Sequence, residues 1–580
     1  MNFLKNILST LVALLLFSIV GILIVIGTIG ALSEKQPVVV EANSILHLKL
    51  NKPISEQEVD NPFDKIGIFS GEESSIGLIK LKKAILNAET DDNIKGIYLE
   101  LNYFMGGMST LEEVRTALAH FKTSGKFIVA YSEYLTEGAY YLASVADAVY
   151  LNPEGELELN GLNANVTFYK GLFDKLGIEV QVFRVGDFKS AVEPFIRKDL
   201  SEENALQLSA MLNDLNNTML SSISASRNID LDTMKGISKS MEVRDASDAL
   251  KLKLIDGLLY EDEVLAILEE KTATNDLTLI TYGKYKDSFS TYKISKNEIA
   301  VIVADGDIVS GKGDAKSIGS EKFAKQIREA REDDDVKAIV MRINSPGGSY
   351  LASDVMWREI SLAAKRKPVI ASMSNYAASG GYYLAMACDT IVAQPNTITG
   401  SIGIFGMLFN LEGLLNDKLG ITNDEVSTGD YSGMLTVSRG LTDAEKSIIQ
   451  NSVERNYETF VAKAAQGRGM TVDEIKAIAS GRVWTGNQAK QNGLVDILGS
   501  FDDAISIAAE KAGVTLDYKV KYYPEQKEFF ERLLEDISGE TSAKMLKTEL
   551  GDLYPYFEKT KRLKDLRGVQ ARLPFELEIN

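Results

Sequence analysis

Between Lys5 and Glu34 the chain carries no charge, and residues 7–32 are almost wholly apolar. At about 1.5 Å per residue a helix of this run would extend about 39 Å. That exceeds the span of about 20 residues that crosses the hydrocarbon core of a bilayer. The run is also longer than the apolar stretch of about 7 to 15 residues in a cleavable signal, and Gly30-Ala31-Leu32 is a poor cleavage site. The pattern predicts a retained transmembrane helix. Lys5 and the amino terminus keep residues 1–6 in the cytoplasm by the positive-inside rule, although Lys35 weakens the asymmetry. No later run is long enough to span, so the body reads as soluble and tethered on the outer side of the membrane.

Beyond the anchor the pattern repeats with a period of about 242 residues. Ile94-Lys95-Gly96-Ile97 matches Val336-Lys337-Ala338-Ile339, and Gly106-Gly107 matches Gly347-Gly348. Ala139-Tyr140-Tyr141-Leu142-Ala143 matches Gly381-Tyr382-Tyr383-Leu384-Ala385, and Lys175-Leu176-Gly177-Ile178 matches Lys418-Leu419-Gly420-Ile421. In each copy a short apolar run (97–101; 338–343) predicts a buried strand. A Gly-Gly turn follows, then an amphipathic helix (110–121; 352–364), a second buried strand (127–131; 368–373), and a helix beginning near Tyr140 or Tyr382. Strands alternating with helices imply α/β layering in two duplicated domains. The expected organisation is a tail at 1–6, an anchor at 7–32, repeats at 33–283 and 298–517, a polar connector at 284–297, and an extension at 518–580, helical near 525–535.

Composition narrows the chemistry. With 63 Lys and Arg against 82 Asp and Glu, the net charge is −19, which argues against nucleic acid as a main partner. The single cysteine, Cys388, excludes an internal disulfide or a multi-cysteine metal site and reads as a packing residue. Only two histidines are present, His47 and His120, both early in the chain. A His-rich zinc site or a Ser-His-Asp triad has little to draw on.

The differences between the copies point to a site. Ser379, in the turn Asn375-Tyr376-Ala377-Ala378-Ser379-Gly380-Gly381, aligns with Glu137. Lys189, in Val185-Gly186-Asp187-Phe188-Lys189-Ser190, aligns with Ser432. Taken singly, each is most simply a turn or surface residue. Their reciprocal placement is the pattern of one active site assembled from two degenerate halves. Ser379 at a tight turn before a helix suits a nucleophile that generates an oxyanion. With no histidine in the second copy, a lysine amine made basic by desolvation can replace it. The Asn344-Ser345-Pro346-Gly347-Gly348 turn could bring backbone N–H groups to a substrate carbonyl.

These motifs, with Thr399-Gly400-Ser401-Ile402-Gly403-Ile404-Phe405-Gly406 and the lysine segment from Arg184 to Phe195, resemble the signal peptide peptidase A (protease IV) family in its long double-domain form. The resemblance spans the anchor and both repeats. It implies tandem Clp/crotonase-like domains and a membrane-bound serine endopeptidase that degrades remnant signal peptides after signal peptidase has released them. The matching positions are Ser379 for the nucleophile, Lys189 for the general base, Ser401 for a serine that orients the lysine, and Gly348 and Gly380 for the oxyanion hole. No cofactor or metal is implied. The implied partners are peptide substrates, membrane lipid through the anchor, and three further copies in a homotetramer at the bacterial inner membrane. Two rival readings are an acyl-thioester enzyme of the crotonase type, which the anchor and the Ser/Lys division fit poorly, and a non-catalytic membrane scaffold.

Overall fold

Continuous runs of Val, Ile, Leu and Ala have no polar face to offer water, so they pair as parallel strands covered on both sides. The computed structural model describes residues 13–14, 17, 38–58, 75–274, 276–289, 294–314, 316–524 and 568–573, and in it such runs build two parallel sheets. The first runs Gly257–Leu258, Ala148–Leu157, Phe127–Leu135, Ile94–Glu100, Ser44–Lys49, Leu279–Thr281. The second runs Val483–Thr485, Ile398–Gly400, Val369–Ala378, Val336–Ser345, Glu298–Asp305, Lys519–Tyr523, with Thr390–Ala393 also beside Val369–Ala378 and Ile497–Leu498 beside Thr390–Ala393. Only Val483–Thr485 runs antiparallel to its neighbour.

The strands and helices expected within the two repeats appear, several of them longer than the apolar runs. The helices after the Gly-Gly turns are Met108–Lys122 and Tyr350–Ala364. The strand expected at 368–373 continues to Ala378, one residue before Ser379. Each repeat also carries a long helix, Glu202–Arg227 and Asp443–Arg468. Ser201 and Thr442 cap them by accepting the backbone N–H of Asn204 and Glu445, satisfying donors that a helix start leaves open.

Two expected boundaries shift. Lys519–Tyr523 pairs in parallel with Glu298–Asp305, as Leu279–Thr281 pairs with Ser44–Lys49. The second repeat therefore runs past 517 and takes the start of the expected extension as its edge strand. Tyr285, inside the expected connector, is fully buried and donates its hydroxyl to Asp91 while accepting from Asn87. The first repeat keeps it because the ring fills core space while the hydroxyl finds polar partners. The expected helix near 525–535 and nearly all of the expected anchor lie outside the described residues. Among those described, no helix is long and apolar enough to cross a membrane.

A third, mixed sheet joins the repeats. Its order is Ser317–Gly319, Asp307–Val309, Gly347–Ser349, Gly568–Arg572, Phe405–Asn410, Glu179–Arg184. Glu179–Arg184 of the first repeat runs antiparallel to Phe405–Asn410 of the second, from Glu179 opposite Asn410 to Arg184 opposite Phe405. Lys189 follows five residues after Arg184, so this ladder delivers it to the second repeat.

A buried ionic cluster holds the two halves together elsewhere. Arg342, fully buried on strand Val336–Ser345, donates to both carboxylate oxygens of Glu56 at 2.9 and 3.1 Å and to Glu113 at 3.4 Å. It also donates to Ser372 and Ser374, and its guanidinium lies over the Phe501 ring. Glu113 in turn pairs with Lys82, which reaches Asp502 at 2.8 Å. Removing one member of a buried ionic group strands its partners uncompensated. Arg342→Ala is expected to lower stability by about 3–5 kcal/mol, read as a lower urea midpoint; an unchanged midpoint would mean that the clamp contributes nothing.

Candidate active site

Val369–Ala378 ends in a turn where Ser379 takes φ 55°, ψ −110°. A non-glycine residue rarely occupies positive φ, and such strain gathers at functional turns. Two bonds hold the turn: Ser379 N–H donates to the Gly400 carbonyl at 2.8 Å, and its own carbonyl accepts the Tyr383 N–H at 2.8 Å. Gly400 leads directly into Ser401, itself at φ 50° and pinned by its N–H to the Arg482 carbonyl at 2.7 Å. The two serines therefore sit side by side on adjacent strand ends.

Lys189 enters from the first repeat. Phe188 N–H donates to the Ser480 carbonyl at 3.1 Å. Gln207 donates to the Phe188 carbonyl and to Ser190 Oγ while accepting the Val483 N–H, which ties the lysine turn to the second repeat. The stem passes so close to Gly481 that a Cβ there would lie 2.6 Å from the lysine Cβ. Nζ stands 3.0 Å from Ser379 Oγ, 2.9 Å from Ser401 Oγ and 3.2 Å from the Ser401 carbonyl oxygen, and it also contacts the Arg572 carbonyl oxygen.

Lys189, Ser379 and Ser401 are all fully buried. Burial pushes the Lys189 amine well below the usual lysine range, because charge in a dry site is costly. No carboxylate offsets it. A neutral amine has two N–H donors and one lone pair. Two of its four neighbours are carbonyls, which can only accept. With the two protons directed there, the lone pair is left for the serine hydroxyls. This arrangement can remove a proton from Ser379 Oγ without a histidine. His47 and His120 are engaged in the first repeat, with Glu100 and Glu89.

Gly347 and Gly348 take φ 104° and 152°, a conformation that L side chains rarely adopt. It turns the strand end so that Gly347–Ser349 lies beside Ser379. A Cβ on Gly347 would come within 2.8 Å of the Gly380 backbone nitrogen, so the Gly-Gly turn and the residue after Ser379 converge. The expected site residues Ser379, Lys189, Ser401, Gly348 and Gly380 are thus gathered in one place. Ser432 is exposed on a loop. Glu137 is buried, accepts the Gly161 N–H at 3.1 Å and is pushed up to about 7 by desolvation, so the first repeat's equivalent turn holds an acid in place of a nucleophile. Cys388 is buried in packing. Among the described residues, no three His, Cys, Asp or Glu side chains form a cluster that could hold a metal.

Sequence reasoning missed three contributors: the Ser480-Gly481 turn against which Lys189 lies, Gln207, and the strand Gly568–Arg572. The Ser-Gly dipeptide between two repeat elements was the one available signal.

The comparisons with known proteins agree with this geometry. The model of peptidase family S49 matches twice, at residues 120–275 and 361–515. Protease 4 of Salmonella typhi is 38% identical over 80% of this chain and 77% of its own length. The chloroplastic serine protease SPPA of Arabidopsis thaliana is 37% identical over 83% of this chain and 71% of its own. A putative signal peptide peptidase SppA of Enterococcus faecium is 34% identical over 42% of this chain and 72% of its own. The chain belongs to peptidase family S49, in a two-copy form, and is a serine protease.

Proposed function

We propose that the protein is a membrane-anchored endopeptidase with a Ser-Lys dyad, built on tandem Clp/crotonase-like domains, that degrades remnant signal peptides after their release. The observation that carries this reading is Lys189, buried without a carboxylate and 3.0 Å from Ser379 Oγ. Neutral Lys189 takes the Ser379 proton as Oγ attacks the scissile carbonyl. The Gly348 and Gly380 N–H groups hold the oxyanion. Lys189 then protonates the departing amine, and water releases the acyl group. Ser401 keeps Nζ directed at Ser379.

The substrate class is supported by the name of the Enterococcus relative, a putative signal peptide peptidase, and by the apolar run 7–32, which would tether the site beside the bilayer. That tether would put residues 1–6 in the cytoplasm and the catalytic body on the outer side of the bacterial inner membrane. A homotetramer also belongs to this reading. In the first repeat Glu179–Arg184 pairs with Phe405–Asn410. The duplicate stretch of the second repeat, near 421–427, pairs with no strand among the described residues. There Ile421 stands 50% exposed and Val426 102%. The first repeat of another copy would cover it head to tail, the kind of contact from which rings are built.

Ser379→Ala and Lys189→Ala should each lower kcat/KM on a synthetic signal peptide by on the order of 10⁴-fold or more. Ser401→Ala should cost about tenfold, the worth of one hydrogen bond of about 1–1.5 kcal/mol. Full activity in Ser379→Ala or Lys189→Ala contradicts the dyad. Because the folded Lys189 titrates below its ordinary value, its protonated form is inactive at low pH. Activity should rise with pH through that depressed value and then level off. A fall on the alkaline side while the fold persists contradicts a lysine base. The full chain should resist an alkaline carbonate wash of membranes and, extracted in detergent, have the mass of four copies, which Val426→Asp should reduce. A chain washed free, or a monomer, contradicts the anchor or the ring.

A further inference from the structure

Ser379 and the Gly347-Gly348 turn follow neighbouring strands, yet the ladder between those strands does not run straight to them. Val336–Ser345 and Val369–Ala378 pair in step from Ile339 opposite Val369 to Ile343 opposite Met373. The next pair is Ser345 opposite Ala377. One residue, Asn344, therefore faces three: Ser374, Asn375 and Tyr376. A bulge of this kind breaks the ladder locally and re-aims the chain beyond it. Beyond this bulge lies the nucleophile turn. A Cβ on Gly381 would come within 2.7 Å of the Ser345 carbonyl oxygen, and one on Gly347 within 2.8 Å of the Gly380 nitrogen. The bulge sets how Ser379 stands against the Gly-Gly turn.

The Asn344 side chain closes the bulge. Its Oδ1 accepts the Tyr376 N–H at 3.3 Å, and its Nδ2 donates to Asp305 Oδ1 at 2.9 Å. Asp305 lies directly opposite on the next strand. Desolvation and the nearby Glu56 carboxylate push the Asp305 carboxyl up to about 6. At pH 7 it is mainly ionised, and a carboxylate can only accept. Asp305 thereby fixes which end of the amide is which: with Nδ2 held on one side, Oδ1 is turned to Tyr376.

The first repeat serves as an internal comparison. Ser44–Lys49 pairs with Ile94–Glu100 as Glu298–Asp305 pairs with Val336–Ser345, which aligns Asn102 with Asn344 and Asn51 with Asp305. The repeat without the nucleophile thus keeps the asparagine and has no carboxylate beside it. Asn51 is exposed, and Asn102 Oδ1 instead accepts Ser132 Oγ at 3.1 Å and the Glu133 N–H at 3.4 Å. The strands differ in length as well. Glu137 comes six residues after Tyr131, whereas Ser379 comes seven after Ser372, the residue in the same register. The additional residue is taken up in the bulge that Asn344 closes.

We propose that Asp305 and Asn344 are positioning residues for the nucleophile: Asp305 orients the Asn344 amide, and that amide holds the bulge that sets Ser379 Oγ against Lys189 and the Gly-Gly turn. The proposal rests on the Ser-Lys reading above. Both residues act through the Tyr376 N–H, three residues before Ser379. Releasing that hold slows the chemical step and leaves peptide binding unchanged, because a misplacement of about 1 Å costs on the order of 10²-fold in rate.

The test measures kcat and KM separately on a synthetic signal peptide. It compares the full chain, Asn344→Asp, Asp305→Leu and the double exchange Asp305→Asn/Asn344→Asp, with Ser379→Ala in parallel. Asn344→Asp removes the donor and sets two carboxyl groups against each other, while Asp305→Leu removes the acceptor. Each should lower kcat by on the order of 10²-fold with KM within about twofold of wild type. The double exchange restores one amide donor and one carboxylate acceptor, and should bring kcat back to within about tenfold of wild type. Urea midpoints separate loss of fold from loss of position; where Asn344→Asp does not fold, Asp305→Leu and the double exchange decide. Wild-type kcat in Asp305→Leu or in a folded Asn344→Asp overturns the proposal. So does a double exchange no faster than Asp305→Leu, or a loss carried by KM. A Ser379→Ala chain as active as wild type sinks the Ser-Lys reading itself.

Discussion

An amine sealed from water with no carboxylate beside it gives up its proton well below the usual lysine range, and the site depends on keeping Lys189 in that condition. Two buried lysines show the contrast. Burial disfavours the charge on both. At Lys82, Glu113 and Asp502 more than offset that cost and hold the ammonium above its ordinary range. At Lys189 nothing offsets it, and four oxygens from serines and carbonyls are its neighbours. One lysine is therefore a structural cation, and the other is the base of the proposed dyad. Such a base lowers stability. Between its folded and unfolded pKa values the unfolded chain holds the extra proton, so stability drops as pH falls through that window.

Neither repeat could bury Lys189 alone. The residue sits on a turn of the first repeat, and the surfaces that desolvate it (Ser379, Ser401, Gly403 and Gly481) belong to the second. The ladder between Glu179–Arg184 and Phe405–Asn410 carries the turn across, and Gln207 fixes it. The Arg342 cluster, on a central strand of the second sheet, also works against separation of the halves through its bonds to Glu56 and Glu113. The two copies thus divide the site: the first carries Lys189 and has Glu137 where the second has Ser379.

Much of this was legible in the residues. The strands and helices of the repeats followed from apolar runs and period, and the meeting of Ser379 and Lys189 from comparing Ser379 with Glu137 and Lys189 with Ser432. What escaped shares one cause, pairing between residues distant in sequence. Lys519–Tyr523 reads Lys-Val-Lys-Tyr-Tyr, with no continuous apolar run, so its edge position emerges only from the strand it pairs with. Gly568–Arg572 contains no apolar run at all, and its extended form comes from the two edges that flank it. The Ser480-Gly481 turn looks like any loop until Lys189 is placed against it.

The most direct test of a neutral, buried Lys189 is its own titration. Lysine labelled with ¹³C at Cε, in the Ser379→Ala chain, gives a resonance assigned by its loss in Ser379→Ala/Lys189→Met. The Lys189 signal should move from the neutral-amine to the ammonium value only well below the ordinary lysine pKa of about 10.4. A signal that stays ammonium-like at pH 7 and titrates near that ordinary value would contradict the account.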